Sequence, residues 1–140
     1  MSRGLRNRNP GNIRRSGVRY VGEKVPSGDP EFREFVAVEW GYRAMFVLLY
    51  TYRLRYGLQT VAGLIGRWAP PSGNRTESYV RFVADRCGLK DDEPIDLLDP
   101  GTMIPLAAAM SEVENGRPAR ISDVERGWEL FFRDFGTERR

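Results

Sequence analysis

The side chains of this chain that could carry out acid–base chemistry are carboxylates, tyrosines and lysines. Its 140 residues include no histidine and one cysteine. Histidine is the commonest general base and the commonest zinc ligand, so its absence excludes Ser-His-Asp and Cys-His hydrolases and histidine-ligated zinc enzymes. Cys87 has no partner for an internal disulfide, and its place on an apolar helix face is typical of a small core residue. No metal and no cofactor are predicted.

One carboxylate, Glu114, is predicted to face the core from the end of a helix. Successive helical residues advance by about 100°, so in a helix over 103–114 Glu114 lies roughly 20° from Met103, on the apolar face that also carries Met110. Partial burial raises the pKa of a carboxyl group, as the general acid of glycosidic-bond cleavage requires. If the helix ends earlier, Glu114 is a surface residue beside the Asn115-Gly116 turn.

Other carboxylates near predicted helix ends have simpler roles. Glu112 falls roughly opposite Glu114 on the helix and is expected to be solvated. Glu39 and Glu77 lie in the first turns of their predicted helices, where the helix dipole favours a negative charge. Glu39 is the alternative general acid if Glu114 does not have that role.

Helices must position these groups. Residues 1–38 are interrupted by Gly and Pro, so we expect loops with strands over 18–21 and 32–38. The rest has helical periodicity. Helices are predicted over 39–56, 58–68, 74–87 and 103–114, with a last one that begins near Ser122 and stops at Gly136. The third and last are predicted to start with capping boxes, Asn74 with Glu77 and Ser122 with Glu125. Pro70 and Pro71 end the second.

The predicted fold class is mainly α, within α+β. The chain is predicted to form one domain over 1–140, with a basic loop and β lobe at 1–38 and a helical body at 39–140. The net charge is +3, but residues 1–24 alone hold seven basic groups and one acid, which suits a polyanionic partner. The most apolar run, 44–50, is too short to span a membrane, and no signal peptide is recognised at the N-terminus.

Several segments resemble the lysozyme-like superfamily. Residues 6–14, Arg-Asn-Arg-Asn-Pro-Gly-Asn-Ile-Arg, followed by Tyr-Val-Gly at 20–22 and Phe-Arg-Glu-Phe at 32–35, resemble the stretch after the catalytic glutamate in bacterial glucosaminidases. Residues 74–80 resemble the Glu-Thr-x-x-Tyr-Val element of lytic transglycosylases, whose tyrosine corresponds to Tyr79. Together with Trp-Ala-Pro-Pro and Glu-Asn-Gly, these motifs also resemble small phage virion proteins and lysins.

The order of the motifs departs from that family. The helix that carries the catalytic glutamate normally precedes the Asn-rich turn, and no helix is predicted there in this chain. The 103–114 helix, which ends in Glu-Asn-Gly, resembles that first helix moved to the C-terminal side, as a circular permutation would place it. The resemblance thus implies a lysozyme-like helical domain with Glu114 as the general acid.

The function implied is cleavage of the MurNAc-GlcNAc link of peptidoglycan by a lytic transglycosylase or muramidase. Glu114 would protonate the leaving oxygen, and Tyr79 would support the developing charge or orient the acetamido group. A hydrolase would need a second carboxylate such as Asp29 or Glu31 across the cleft, whereas a transglycosylase would not. Candidate sugar contacts, chosen as aromatic planes and amides, are Asn9, Asn12, Tyr20 and Trp68, although Trp68 also fits a core position.

Two other function classes remain open. One is a non-catalytic virion structural or wall-binding protein with the same fold. The other is a nucleic-acid-binding module, which is disfavoured because Tyr20 is the sole stacking aromatic among the N-terminal arginines. The expected partners are peptidoglycan glycan strands and other virion proteins. The expected location is a phage virion, or a prophage product, that acts at the host cell wall.

Overall fold

In the computed structural model, which describes residues 1–69 and 73–139, the chain is mainly α-helical, as predicted. Six α-helices and a final 3₁₀ turn occur in these residues. The helices are α1 (Arg3–Arg6), α2 (Val38–Tyr56), α3 (Val61–Trp68), α4 (Asn74–Cys87), α5 (Pro100–Asn115) and α6 (Ile121–Phe135), and the 3₁₀ turn is Gly136–Arg139. Pro70 and Pro71, predicted to end the second helix, lie outside the described residues. No described helix has the length and apolar character that crossing a membrane requires.

Helix α2 is the centre of the core and packs along α6. The Phe46 ring meets the Trp128 ring edge-on at a centroid distance of 5.0 Å, and the Phe131 ring lies 5.8 Å away. The two helices approach closely because Gly127 has no side chain: a Cβ there would lie 2.4 Å from the Cβ of Tyr42. This aromatic packing holds α2 and α6 together.

Helix α5 is longer than predicted and packs against α4. It begins at Pro100, after Asp99, whose side chain accepts a hydrogen bond from the Gly101 N–H as an N-cap. Met103 and Met110 are buried on its inner face. The helix ends at Asn115, where Gly116 takes the left-handed conformation (φ 71°) that terminates helices. Helical structure therefore extends through position 114.

The predicted N-cap residues, Asn74 and Ser122, do not occupy the N-cap positions of their helices. Helix α4 has Gly73 at its N-cap and α6 has Arg120, and neither makes a side-chain capping bond. Both helices start earlier than the pattern suggested, so Asn74 and Ser122 fall inside the first turn rather than before it. Gly136 does follow the last residue of α6, and a short 3₁₀ turn continues from it.

The predicted N-terminal strands do not form. In residues 1–69 the pairing is limited to two isolated antiparallel bridges, Arg14 with Phe32 and Glu23 with Phe35. Val18 and Val21 are 63% and 55% exposed, so these valines form no buried strand face, although Tyr20 between them packs against the core. The segment before the Asn-rich turn, expected to lack helix, contains the one-turn helix α1.

Buried polar side chains hold this segment together instead of a sheet. Asp29 accepts hydrogen bonds from the Arg3 guanidinium at 2.7 and 2.8 Å and from the Asn7 amide at 3.1 Å. The guanidinium of the buried Arg33 forms an ion pair with Glu23 and donates to the carbonyl of Arg14. These contacts join distant parts of the N-terminal segment to one another.

Candidate active site

Glu114 lies at the C-terminal end of α5, half-buried and on the face that Met103 and Met110 define. The helical phase predicted from the sequence is therefore present. Glu112 is not freely solvated as expected, since its carboxylate pairs with the Arg86 guanidinium at 2.6 and 3.1 Å. The two carboxylates of this turn thus differ: one is neutralised by a surface arginine, and the other faces a cleft.

Three side chains from distant parts of the sequence donate to the Glu114 carboxylate. The Asn12 amide donates to Oε1 at 3.0 Å, and the Tyr79 hydroxyl donates to Oε2 at 3.0 Å. The Trp68 side chain is a third hydrogen-bond partner. None of these three donors carries a charge, so these hydrogen bonds place no cation directly against the carboxylate.

Burial raises the pKa of Glu114, and the hydrogen bonds from Asn12, Tyr79 and Trp68 lower it in part. The pKa of Tyr79 is also raised, because the hydroxyl is buried and lies beside the Glu114 carboxylate. Tyr79 therefore remains a neutral phenol that donates its proton in a hydrogen bond. The pair is an acid that holds its proton to a higher pH than a solvated glutamate, with a fixed donor beside it.

Glu114 lies where two surface cavities meet. One, of about 800 Å³, has walls that include Arg14, Tyr20, Arg67 and Trp68, and we call it the basic cavity. The other, of about 750 Å³, has walls that include Tyr79, Phe82 and Val113, and we call it the apolar cavity. Glu114 and Ala69 belong to both walls. The carboxylate therefore borders both cavities, which together we call the cleft.

The predicted sugar contacts separate into two groups. Tyr20 and Trp68 line the basic cavity, and Trp68 is half-buried rather than part of the core. Asn12 also lines it, but its amide nitrogen is bonded to Glu114, and its buried amide oxygen has no hydrogen-bond partner among the residues described. Asn12 therefore positions the carboxylate.

The prediction that Asn9 contacts a sugar is wrong. It is fully buried, its amide nitrogen donates to the carbonyls of Ile13 and Arg33 at 3.0 and 2.9 Å, and its oxygen accepts from the Ile13 N–H. Every polar atom of the side chain is used in shaping the turn, so none is left for a ligand.

The other candidate carboxylates do not line the described cleft walls. Glu39 is in the first turn of α2, 4.0 Å from the Arg126 guanidinium, and lines neither cavity. Hydrogen bonds from the Arg3 guanidinium hold the pKa of Asp29 far below its usual range, and Glu31 pairs with Arg3 and Arg14. Among the described residues that line the cleft, Glu112 and Glu114 are the only carboxylates.

Two residues that hold the site were not identified from the sequence. Asn115 donates to the carbonyl of Pro10 at 2.9 Å and accepts from the Ser2 hydroxyl at 2.7 Å. Gly4 lies beneath this contact, where a Cβ would be 2.5 Å from the Asn115 amide oxygen and 2.7 Å from that of Asn12. The Glu-Asn-Gly motif is a signal for Asn115, but Pro10 and Ser2, which Asn115 contacts, are more than 100 residues away in sequence.

The fold and the cleft define a mainly α-helical protein with one half-buried, neutrally hydrogen-bonded glutamate in a two-part groove. No group of three or more metal-ligating side chains is found in residues 1–69 and 73–139. No family model matches the chain. It is 38% identical over 135 residues to Protein P5 of Pseudoalteromonas phage PM2, an alignment that covers 94% of this chain and 82% of that protein. The chain belongs to the same family as this phage protein.

Proposed function

We propose that this protein cleaves the MurNAc-GlcNAc link of peptidoglycan, with Glu114 as the general acid and base. The observation that carries the proposal is the position of Glu114, half-buried and with a raised pKa, in the walls of two adjoining cavities. A polymeric substrate bound along such a cleft places an internal bond at the carboxyl group. Protonation of the leaving oxygen by a raised-pKa carboxylic acid is the first requirement of glycosidic cleavage.

The scarcity of carboxylates favours a lytic transglycosylase over a hydrolase. Glu112, the other carboxylate in the described cleft walls, is paired with Arg86 and lies on the same helix turn as Glu114. It is therefore not placed across the cleft as a nucleophile or a base for water would be. In the proposed reaction Glu114 gives its proton to the glycosidic oxygen. The muramyl 6-hydroxyl then attacks C1 and returns a proton to Glu114, which leaves a 1,6-anhydro end.

Contacts between the N-terminal turn and the end of α5 support a lysozyme-like fold in permuted order. In the proposed arrangement the acid-bearing helix directly adjoins the Asn-rich turn, although here they stand at opposite ends of the sequence. Asn12 contacts Glu114 across 102 positions, and Asn115 contacts Pro10 across 105. The irregular N-terminal segment would take the place of the β lobe as one wall of the cleft, since Arg14, Tyr20 and Phe32 line it.

The phage relative supports the proposed setting of this activity. A phage must breach or remodel the host cell wall, and a wall-cleaving protein of a virion or a prophage would do this. We propose peptidoglycan strands as the substrate and other virion proteins as assembly partners. The alternative is a non-catalytic virion or wall-binding protein, which would use the same cleft without turnover.

The test is the action of the purified protein on purified cell walls. We expect a loss of turbidity, with soluble muropeptides whose masses correspond to 1,6-anhydro ends. Products with reducing ends would assign a hydrolase instead. If the protein sediments with the walls but neither clears them nor releases fragments, it is a wall-binding protein and the catalytic proposal is wrong.

Tyr79→Phe is expected to move the pH dependence of this activity. Glu114 must be protonated to act as the acid, so the rate falls as the pH rises through the pKa of Glu114. The Tyr79 hydroxyl stabilises the ionised carboxylate, so its removal raises that pKa further. The falling limb of the pH–rate profile should shift to higher pH. An unchanged limb would mean that Glu114 is not the group that limits the rate.

A further inference from the structure

The basic cavity holds more positive charge than its neighbours neutralise. Its walls include Arg14, Arg33 and Arg67, and in the described residues Glu114 is their only carboxylate. Arg33 is buried and paired with Glu23, and Arg14 lies 3.3 Å from Glu31. Arg67 is exposed and has no acidic group within 4.0 Å among the residues described.

Arg67 is held in one orientation by aromatic rings. Its guanidinium lies 3.7 Å from the centre of the Tyr56 ring and 5.4 Å from that of Tyr52. Stacking uses the faces of the guanidinium and leaves N–H donors at its edge free to bond. The next residue, Trp68, contacts Glu114, so Arg67 lies one residue along α3 from a side chain of the candidate active site.

A planar, always charged fork with free edge donors is suited to a carboxylate, which it can bind through two parallel hydrogen bonds. A neutral hydroxyl or acetamido group needs no such cation. Muramyl residues carry carboxylates, either on the lactyl side chain of a bare glycan strand or on the stem peptide attached there. Chitin, a glycan of the same backbone linkage, carries none.

We propose that Arg67 binds a carboxylate borne on the glycan strand, so that the basic cavity distinguishes muramyl glycans from neutral ones. Arg14, 63% exposed, also lines the basic cavity and adds to the local positive potential. The inference rests on the proposed function for the identity of the glycan, but not on turnover. Arg67 is thus a specificity-determining residue of the cleft.

The test measures binding in a Glu114→Gln background, so that no substrate is consumed. Calorimetric titrations would use three soluble ligands: the GlcNAc-MurNAc disaccharide with a free lactyl carboxylate, the same disaccharide with its stem peptide, and chitotetraose. Arg67→Gln should weaken binding of a carboxylate-bearing ligand by roughly 10- to 100-fold, the worth of a charge-assisted pair. Binding of chitotetraose should not change. Whichever anionic ligand loses affinity identifies the source of the carboxylate.

Two further variants separate charge from structure. Arg55→Gln removes an exposed arginine from α2, outside both cavities, and should leave all three affinities unchanged. Arg67→Lys keeps the charge without the fork and should lose an intermediate amount of affinity for the anionic ligand. Circular dichroism and thermal melting would establish that each variant is folded.

Three outcomes would overturn the inference. An equal loss for anionic and neutral ligands would mean that Arg67 only packs against Tyr52 and Tyr56. No loss, or binding by the parent protein that is no tighter for anionic ligands than for chitotetraose, would mean that Arg67 contacts no carboxylate.

Failure of the wall-clearing assay with carboxylate recognition retained would remove the catalytic proposal and leave this one standing.

Discussion

Glu114→Gln should lower the rate of wall cleavage by roughly 10²- to 10⁴-fold, the usual contribution of a general acid. Glutamine has the shape of glutamate but no proton to give to the leaving oxygen. The described cleft walls offer no other carboxylate in its place, because Glu112 is paired with Arg86. Initial rates of turbidity loss, at the pH where the parent protein is most active, measure the effect.

The same variant should remain folded. The Asn12 amide can still donate to the side-chain oxygen of the introduced glutamine, and the new NH₂ group can donate to the Tyr79 hydroxyl, which then accepts. Its melting temperature should equal or exceed that of the parent at high pH. The folded-state pKa of Glu114 is raised, so its proton stabilises the folded parent at low pH, and that contribution is lost as the pH rises through this pKa. Melting curves from about pH 4 to about pH 8 would show the difference growing.

Glu39→Gln is the matched control, because Glu39 was the alternative acid in the sequence. It lies outside the cleft, near Arg126, and its loss should leave the rate unchanged apart from a small effect on stability. Equal clearing by Glu114→Gln and the parent protein would refute the assignment of Glu114. A large loss in Glu39→Gln alone would transfer the catalytic role to α2.

The asparagines beside Glu114 join the N-terminal segment to the C-terminal end of α5. Asn12 contacts the carboxylate directly, and Asn115 ties the last turn of α5 to Pro10 and Ser2. The orientation of Glu114 therefore depends on the N-terminal segment as much as on its own helix. A carboxylate held by neutral donors keeps its raised pKa, whereas an arginine at the same place would lower it.

Local periodicity was enough to predict the helices and the phase of Glu114. Each of the helices α2 to α6 was predicted within three residues at both ends, because an apolar stripe and a terminal glycine act over a few residues. Tyr79 follows from the family resemblance, and in the structure its hydroxyl donates a hydrogen bond to Glu114. Helix starts were harder, since α3 and α5 begin three residues from their predicted positions, each directly after a side-chain cap, Thr60 and Asp99.

The N-terminal segment could not be predicted because its stability comes from contacts between distant residues. Asp29 binds Arg3 across 26 positions, and Arg33 is buried with Glu23, although charged residues are normally expected at the surface. The side chain of Asn9, predicted to contact a sugar, instead donates hydrogen bonds to two backbone carbonyls. Arg67 was missed because its stacking on Tyr56 joins two helices.

Gly41→Ala should destabilise the fold and reduce activity together. Gly41 lies in α2, where a Cβ would stand 2.3 Å from the carbonyl oxygen of Arg8 and 2.6 Å from Cδ of Pro10. The Arg8 carbonyl belongs to a turn whose backbone is already constrained, with φ of 52° at Arg8 and 50° at Asn12. The turn cannot move away without shifting Asn12 from Glu114. We expect a loss of about 1–3 kcal/mol in the free energy of unfolding, measured by urea denaturation.

Gly66→Ala is the control that isolates the close contact from helix propensity. Gly66 lies in α3, also inside a helix, and a Cβ there meets nothing within 4 Å. Alanine is favoured over glycine in a helix by about 1 kcal/mol, so this variant should be more stable than the parent. The same propensity acts at Gly41, where the contact with the turn must outweigh it. If Gly41→Ala is stabilised as Gly66→Ala is, the Asn-rich turn is not held against α2, and the N-terminal segment does not position Glu114.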